Sequence, residues 1–332
     1  MPTVYAATDD ALLVATGAGD DWAATEALAD APTGRLQAVA ASPDAPERVL
    51  VGTFEAGLQR STDGGETFER VGGAIESDAV TAVAVGPHDP EEVWAGTEPS
   101  AVYRSTDGGA SWEAVGGLTD LPSAGMWSFP PRPHTHHVRW LEPSPHDPGR
   151  LYVAVEAGAF VYTDDGGATW HGRPPGSRRD VHTLATHPDA PGRVYAAAGD
   201  GYAESTDGGE SWTHPQAGLD HRYVWSVAVD PADPDAVVVS AASGAHRAHG
   251  SPGEAYLYRR AGDRWERLDR EVPTGEGARR AVLTAGREAG ELYACNDHGL
   301  YRTADAGDSW ARLPVEWPDR FHEGNCRGLA VV

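Results

Sequence analysis

Four arginines, Arg35, Arg139, Arg280 and Arg327, stand at related positions in a chain that otherwise carries about two acids per Arg. Six residues before a series of proline turns (Pro43, Pro87, Pro145, Pro188, Pro231), and by pattern in two further units, stand Gln37, Thr81, Arg139, His182, Trp225, Arg280 and Arg327. Two residues earlier stand Arg35, Ala79, His137, Asp180, Tyr223, Ala278 and Asn325, which strand alternation puts on the same side. These fourteen positions hold four Arg, two His and one acid, so the charge balance of the chain is inverted there. Guanidinium forks suit carboxylate, sulfate or phosphate. The pattern reads as a pocket for a small anionic ligand or substrate, floored by the four arginines, with Trp225 and Tyr223 as apolar wall and Asn325 as a further contact. The alternative is that the arginines bridge neighbouring units or balance Glu55, Glu98 and Glu156.

His182 and Asp180 are the first choice for moving a proton, with Tyr223 and Glu156 completing the catalytic candidates. Nine of the fourteen histidines fall in segments assigned to the same end: His134, His136, His137, His182, His221, His246, His249, His298 and His322. Gathered imidazoles serve acid–base chemistry or a divalent metal. In extended chain His134 and His136 point one way and His137 the other. Candidate metal ligands are therefore His134, His136, His137, His246 and His298. No spacing matches a recognised metal signature, so metal, acid–base and solvated-loop readings stand side by side, and no other cofactor is implied. His88, His146 and His187 sit in proline turns at the opposite end.

A repeat must position these residues. Ser61-Thr62-Asp63-Gly64-Gly65-Glu66-Thr67-Phe68 returns at Ser105 to Trp112, Thr163 to Trp170, Ser205 to Trp212 and, more loosely, Thr303 to Trp310. Worn copies end at Trp22 and Trp265. Asp, Gly and Ser/Thr build a tight turn, and the aromatic starts the next strand. The seven aromatics are spaced by 46, 44, 58, 42, 53 and 45 residues, with four short strands around each. That describes an all-β, seven-bladed β-propeller of four-stranded antiparallel blades in one domain. The predicted blades are 3–25 with 326–332, 35–71, 79–115, 137–172, 180–214, 222–268 and 279–313. The C-terminal strand supplies the missing innermost strand of blade one and closes the ring. Three insertions, Gly116 to His136, Ser243 to Glu254 and Glu266 to Ala278, fall on the top face, over the funnel.

The S-T-D-G-G-x-S/T-W unit resembles the Asp-box, or BNR, repeat of sialidases, xyloglucanases, sortilin-type receptors and photosystem II assembly factors. The resemblance implies a propeller whose box residues are structural, on the face away from the active site, and it says little about chemistry. A sialidase-like glycosidase would need a Tyr–Glu nucleophile pair, for which Tyr223 and Glu156 are the candidates. The F/Y-R-I-P motif is missing, however, and seven blades replace six. Xyloglucanases use a cleft between two propellers. A metal-assisted hydrolase or lyase is a further enzymatic reading. The alternative is a non-catalytic protein-binding scaffold resembling photosystem II assembly factors, which share the seven-bladed plan and an arginine patch.

Composition excludes several partners. Fifty acids face 26 basic residues, all Arg, for a net charge of −24, which opposes nucleic acid and anionic membranes. A Lys-free acidic surface resembles salt-adapted proteins, with stability expected to rise with molar salt. No apolar run spans a bilayer and the start leads directly into a strand, so the expectation is cytoplasmic. Cys295 and Cys326 are expected as free buried thiols.

Overall fold

The computed structural model describes residues 1–29, 34–269 and 272–332. The repeated turn has the chemistry its residues dictate. Ser61 Oγ donates to Asp63 Oδ1 (2.7 Å) and accepts from the Gly65 amide (2.9 Å), while Asp63 Oδ1 accepts from the Thr67 amide (2.9 Å). Those hydrogen bonds, the Thr67 hydroxyl's first, hold the Asp63 carboxyl down at about 2. The same pattern recurs at Ser105–Ser111, Thr163–Thr169, Ser205–Ser211 and Thr303–Ser309. The second glycine is required twice over. Gly167 has φ of 93°, and a Cβ there would stand 2.2 Å from Val115 in the preceding blade.

Five of the seven antiparallel sheets carry such a turn after their third strand. Blade one is Cys326–Val331, Thr3–Thr8, Leu12–Ala18 and Asp21–Ala27, so the C-terminal strand closes the ring with Val331 opposite Val4 and Leu329 opposite Ala6. Blade five is the thinnest, its fourth strand reduced to the bridge between Glu204 and Thr213. The core is divided into seven apolar clusters, one at each blade–blade contact. The closing strand feeds two of them: Cys326 and Leu329 the cluster with blade seven, Ala330 and Val332 the cluster with blade two. Both cysteines are free and buried.

The innermost strands depart from simple alternation. In six blades the pairing skips one residue: Gln37, Thr81, Arg139, His182, Trp225 and Arg327 are each extra residues of a β-bulge. A bulge bends the strand and re-aims a side chain. Six of the seven positions singled out by counting from the proline turns are therefore the bulged ones.

Of the three insertions, 116–136 brings Phe129–Arg132 to the funnel mouth, and Ser243–Glu254 brings the one-turn helix Ala245–His249. The third contributes Gly275–Glu276, paired to Glu254–Ala255 away from the mouth; its residues 270 and 271 lie outside the described residues.

Candidate functional site

At the top of the channel lies a cavity of about 490 Å³. All fourteen sequence-selected positions line it except Ala79, His182, Ala278 and Arg280. A larger depression of about 660 Å³ lies at the other end, around Tyr5, Gly64 and Pro43. Its strongest charges are spent on each other, Arg302 donating to Glu291 at 2.7 Å, so the chemistry concentrates at the top.

The residues at these seven inner-strand positions divide into two sets. In blades three, five and seven the side chain turns sideways and braces the next blade. Thr81 Oγ1 donates to Val138 O (2.6 Å), His182 Nδ1 to Val224 O (2.8 Å), and Arg280 Nη1 to Cys326 O. Each acceptor is the residue just before the neighbouring bulge. In blades one, two, four and six, Arg327, Gln37, Arg139 and Trp225 line the cavity instead.

The arginines accordingly have different fates. Arg280, 1% exposed, lies 4.0 Å over the Trp225 ring and donates through Nε to His249 Nδ1 (3.2 Å). Burial, with Arg327 and Arg139 nearby, pulls its pKa down to about 9. Arg327 is held by Asp9, with Nε at 2.7 Å and Nη2 at 2.6 Å from Oδ1. Arg139 is 8% exposed and lies 4.8 Å from the Trp225 ring. Its nearest carboxylate among the described residues is Glu156, at 3.7 Å, beyond hydrogen-bonding distance. Burial lowers the Arg139 pKa. Arg35 is exposed at the rim over Phe54, and Asn325 Oδ1 is buried without a hydrogen bond.

Protonation states follow from who can donate. Because Arg280 donates to His249 Nδ1, the neutral ring carries its proton on Nε2 and donates it to Tyr223 Oη (3.1 Å). Burial, then Arg280, push the His249 pKa down to about 2, which fits a neutral ring. Burial, with Glu156 and Asp180, raises the Tyr223 pKa, so the phenol keeps a proton to donate. In this arrangement Tyr223 is a hydrogen-bond donor at the cavity wall. Glu156 accepts from His137 Nε2 (3.1 Å); burial works to raise its pKa, but His137, His182 and Arg139 outweigh it and hold the carboxyl low. Asp180 goes the other way: burial raises its pKa more than His182 lowers it.

His182 and Asp180 do come together, His182 Nε2 lying 3.7 Å from Asp180 Oδ2. The histidines proposed as metal ligands do not. His134 is exposed, His136 packs on Trp127, His137 is taken by Glu156, His246 is exposed at the rim, and His298 reaches Gly277 O at 3.3 Å. Among the described residues the trio with donor atoms close enough to share an ion is Glu156, Asp180 and His182, within 4.8 Å of one another. The imidazoles that counted as a cluster in sequence are spread around the rim.

Sequence reasoning missed Phe54, Phe129 and Arg132 at the site, and counted His249 only among the nine top-end histidines. Arg132 pairs with Glu98 (2.7 and 2.5 Å) and packs 4.9 Å from Phe54 and 4.8 Å from Phe129. An Arg three residues after an aromatic in a Pro-rich insertion was the available signal. His249 sits one helical turn from His246, so the insertion itself pointed to it.

No protein-family model matches this chain, and no curated protein matches it. Solved structures do. The chain superimposes on an ancestral GH74 enzyme with TM-score 0.63 and 17% identity, covering 90% of this chain and 38% of that one. It superimposes on YCF48 bound to D1 peptide with TM-score 0.58 and 18% identity, covering 83% and 81%. For the WD40 β-propeller domain of Doa1 the figures are 0.58, 14%, 91% and 88%. The chain thus spans well under half the length of the GH74 enzyme. No described helix is long and apolar enough to cross a membrane. At these identities the likeness is one of fold: the chain is a seven-bladed β-propeller built like both glycoside hydrolases and non-catalytic scaffolds.

Proposed function

We propose that the top-face funnel binds a small molecule or chain end bearing a carboxylate, sulfate or phosphate. The observation that carries this is Arg139: a buried guanidinium with no hydrogen-bond acceptor among the described residues, facing the cavity. Glu156 at 3.7 Å balances the charge without a hydrogen bond, and an anion would supply the missing acceptor. Tyr223 Oη, fed by His249, offers a second donor, and Arg35 a third at the rim. Arg280, held by Cys326 O and His249, and Arg327, held by Asp9, add fixed positive charge around them, and Arg280 Nη2 keeps an uncommitted donor. Trp225, Phe54 and Phe129 give the ligand an apolar wall. Bond cleavage, as in a glycoside hydrolase, would use Asp180, whose raised pKa suits a proton donor.

A scaffold reading uses the same chemistry, with a peptide C-terminal carboxylate as the anion; the YCF48 likeness favours it. Titration calorimetry in EDTA with phosphate, sulfate, glucuronate and a short acidic peptide tests both. The expected result is binding that weakens about tenfold or more in Arg139→Ala, the loss of one charge-assisted hydrogen bond of about 1.5–3 kcal/mol. A parent protein that binds none of these at millimolar concentration overturns the proposal. Binding of the peptide alone decides for the scaffold.

A further inference from the structure

His182 is fully buried at 0% exposure, and its Nε2 has no hydrogen-bond partner. Its Nδ1 faces the carbonyl of Val224 at 2.8 Å. A carbonyl only accepts, so Nδ1 carries the proton and, in the neutral ring, Nε2 presents a bare lone pair. That lone pair points toward Asp180 Oδ2, at 3.7 Å too far for a hydrogen bond. Asp180 is itself oriented, Oδ1 accepting from the Ala157 amide at 2.8 Å. Glu156 is oriented through Oε2 by His137 at 3.1 Å. Three lone-pair donors therefore converge, each held from behind by a backbone carbonyl, a backbone amide and an imidazole.

We infer that Glu156, Asp180 and His182 form a binding site for one divalent transition-metal ion, Zn²⁺ or Mn²⁺, at the wall of the funnel. Metal-bound histidines commonly donate their other ring N–H to a carbonyl or carboxylate, as His182 does, and ligating carboxylates are hydrogen-bonded in turn. Two ligands about 2.1 Å from a tetrahedral ion stand about 3.4 Å apart. The 3.7 Å gap between Asp180 and His182 is close to that, and with all three donor atoms within 4.8 Å of one another the ion would draw the trio in by up to about 1.4 Å. Two carboxylates and a neutral imidazole balance a dication. The N,O,O donor set without thiolate selects a borderline ion and argues against Ca²⁺ or Mg²⁺. Glu156 and Asp180 line the cavity, so the remaining coordination positions open toward any ligand there. The site does not depend on the anion proposal, because the ion is held by protein groups alone.

The full-length protein, stripped with EDTA and freed of chelator, is titrated with Zn²⁺ by calorimetry and with Mn²⁺ by electron paramagnetic resonance. One ion per chain is expected, with affinity falling at least thirtyfold in Asp180→Asn and in Glu156→Gln. Surface carboxylates of this acidic chain will add weak sites that persist in both variants and serve as background. A wild type with no site above that background overturns the inference, as does a tight site that survives both substitutions. X-ray absorption of the Zn²⁺-loaded wild type covers the case of variants that do not fold. One imidazole with oxygen ligands supports the site; two or more imidazoles, or sulfur, overturn it. Anion titration in EDTA is read separately, so either proposal fails without the other.

Discussion

The two ends of the innermost and outer strands are built on opposite principles. At the bottom, the Ser/Thr-x-Asp turns repeat one hydrogen-bond pattern and close on themselves within seven residues. At the top, the inner-strand residues change from blade to blade, and those that brace reach into other blades: 57 residues away for Thr81, 42 for His182, 46 for Arg280. A turn satisfied locally can be copied without reference to its neighbours. A residue whose partner is supplied by the next blade cannot, so each top position has been settled separately. That is where a propeller acquires a site.

The largest effect expected is from the closing strand. Deleting Cys326–Val332 strips two interface clusters at once and opens a sheet edge on blade one. No cooperative melting transition should remain; a truncated chain that melts as the parent does would show the ring does not need its seam.

Next comes the division among the arginines. Arg280→Ala removes a buried brace to Cys326 and His249 and should cost about 3 kcal/mol or more. Arg139→Ala, with no hydrogen bond to lose, should change stability by less than about 1 kcal/mol. Equal costs in denaturant titrations would erase the distinction between bracing and cavity-facing residues.

At the bottom face a carboxyl bridges two blades with its pKa raised. Glu142, half-buried and without a counter-charge, accepts from Trp140 Nε1 (3.0 Å) and from the amide and hydroxyl of Thr186 in blade five (3.0 and 2.9 Å). Burial outweighs these bonds and raises its pKa from 4.5 to about 7. Between those values the folded protein holds a proton the unfolded chain has lost, so stability falls as pH rises through the window. The contribution is complete below 4.5, gone above 7, and worth about 3 kcal/mol. Glu142→Gln should flatten that part of the pH–stability curve, measured as the difference from wild type; an unchanged slope would assign the dependence elsewhere.

The smallest effect tests the turn. Ser105→Ala leaves the buried Gly109 amide without its 2.8 Å acceptor and should cost about 1–2 kcal/mol, with the other turns untouched. A loss several times larger would mean the turns are coupled after all.

This contrast also explains what could be read from the residues alone. The ring, its seven blades and its seam were legible because Asp63, Gly65 and their repeats carry their whole reason within one octapeptide. The top was legible only as a set of positions. Alternation placed Asp180 and His182 on one channel-facing side, but the bulge at 182 sends His182 sideways to Val224. Arg327 looked available for a ligand because Asp9 is 318 residues away in sequence and adjacent only once the ring closes. His88, His146 and His187 looked like turn residues. In fact they reach across to Ser144, His187 and Asp230 in successive blades (3.0, 3.0 and 2.9 Å). Local chemistry survives reading one residue at a time; contact across a closed ring does not.

Side chains that brace the next blade in three, five and seven, with side chains that face the cavity in four and six, make an alternating ring. Seven is odd, so the alternation must fail once. It fails where blade one meets blade two, and Arg327 and Gln37 stand side by side with neither turned to the next blade. Parity therefore assigns the pocket a direction: two neighbouring vacancies on one flank, single ones on the other. A homologous ring of six or eight units could alternate without a defect and would present a symmetric funnel. Blade number, usually taken as a matter of diameter, here decides whether the opening has a handed floor.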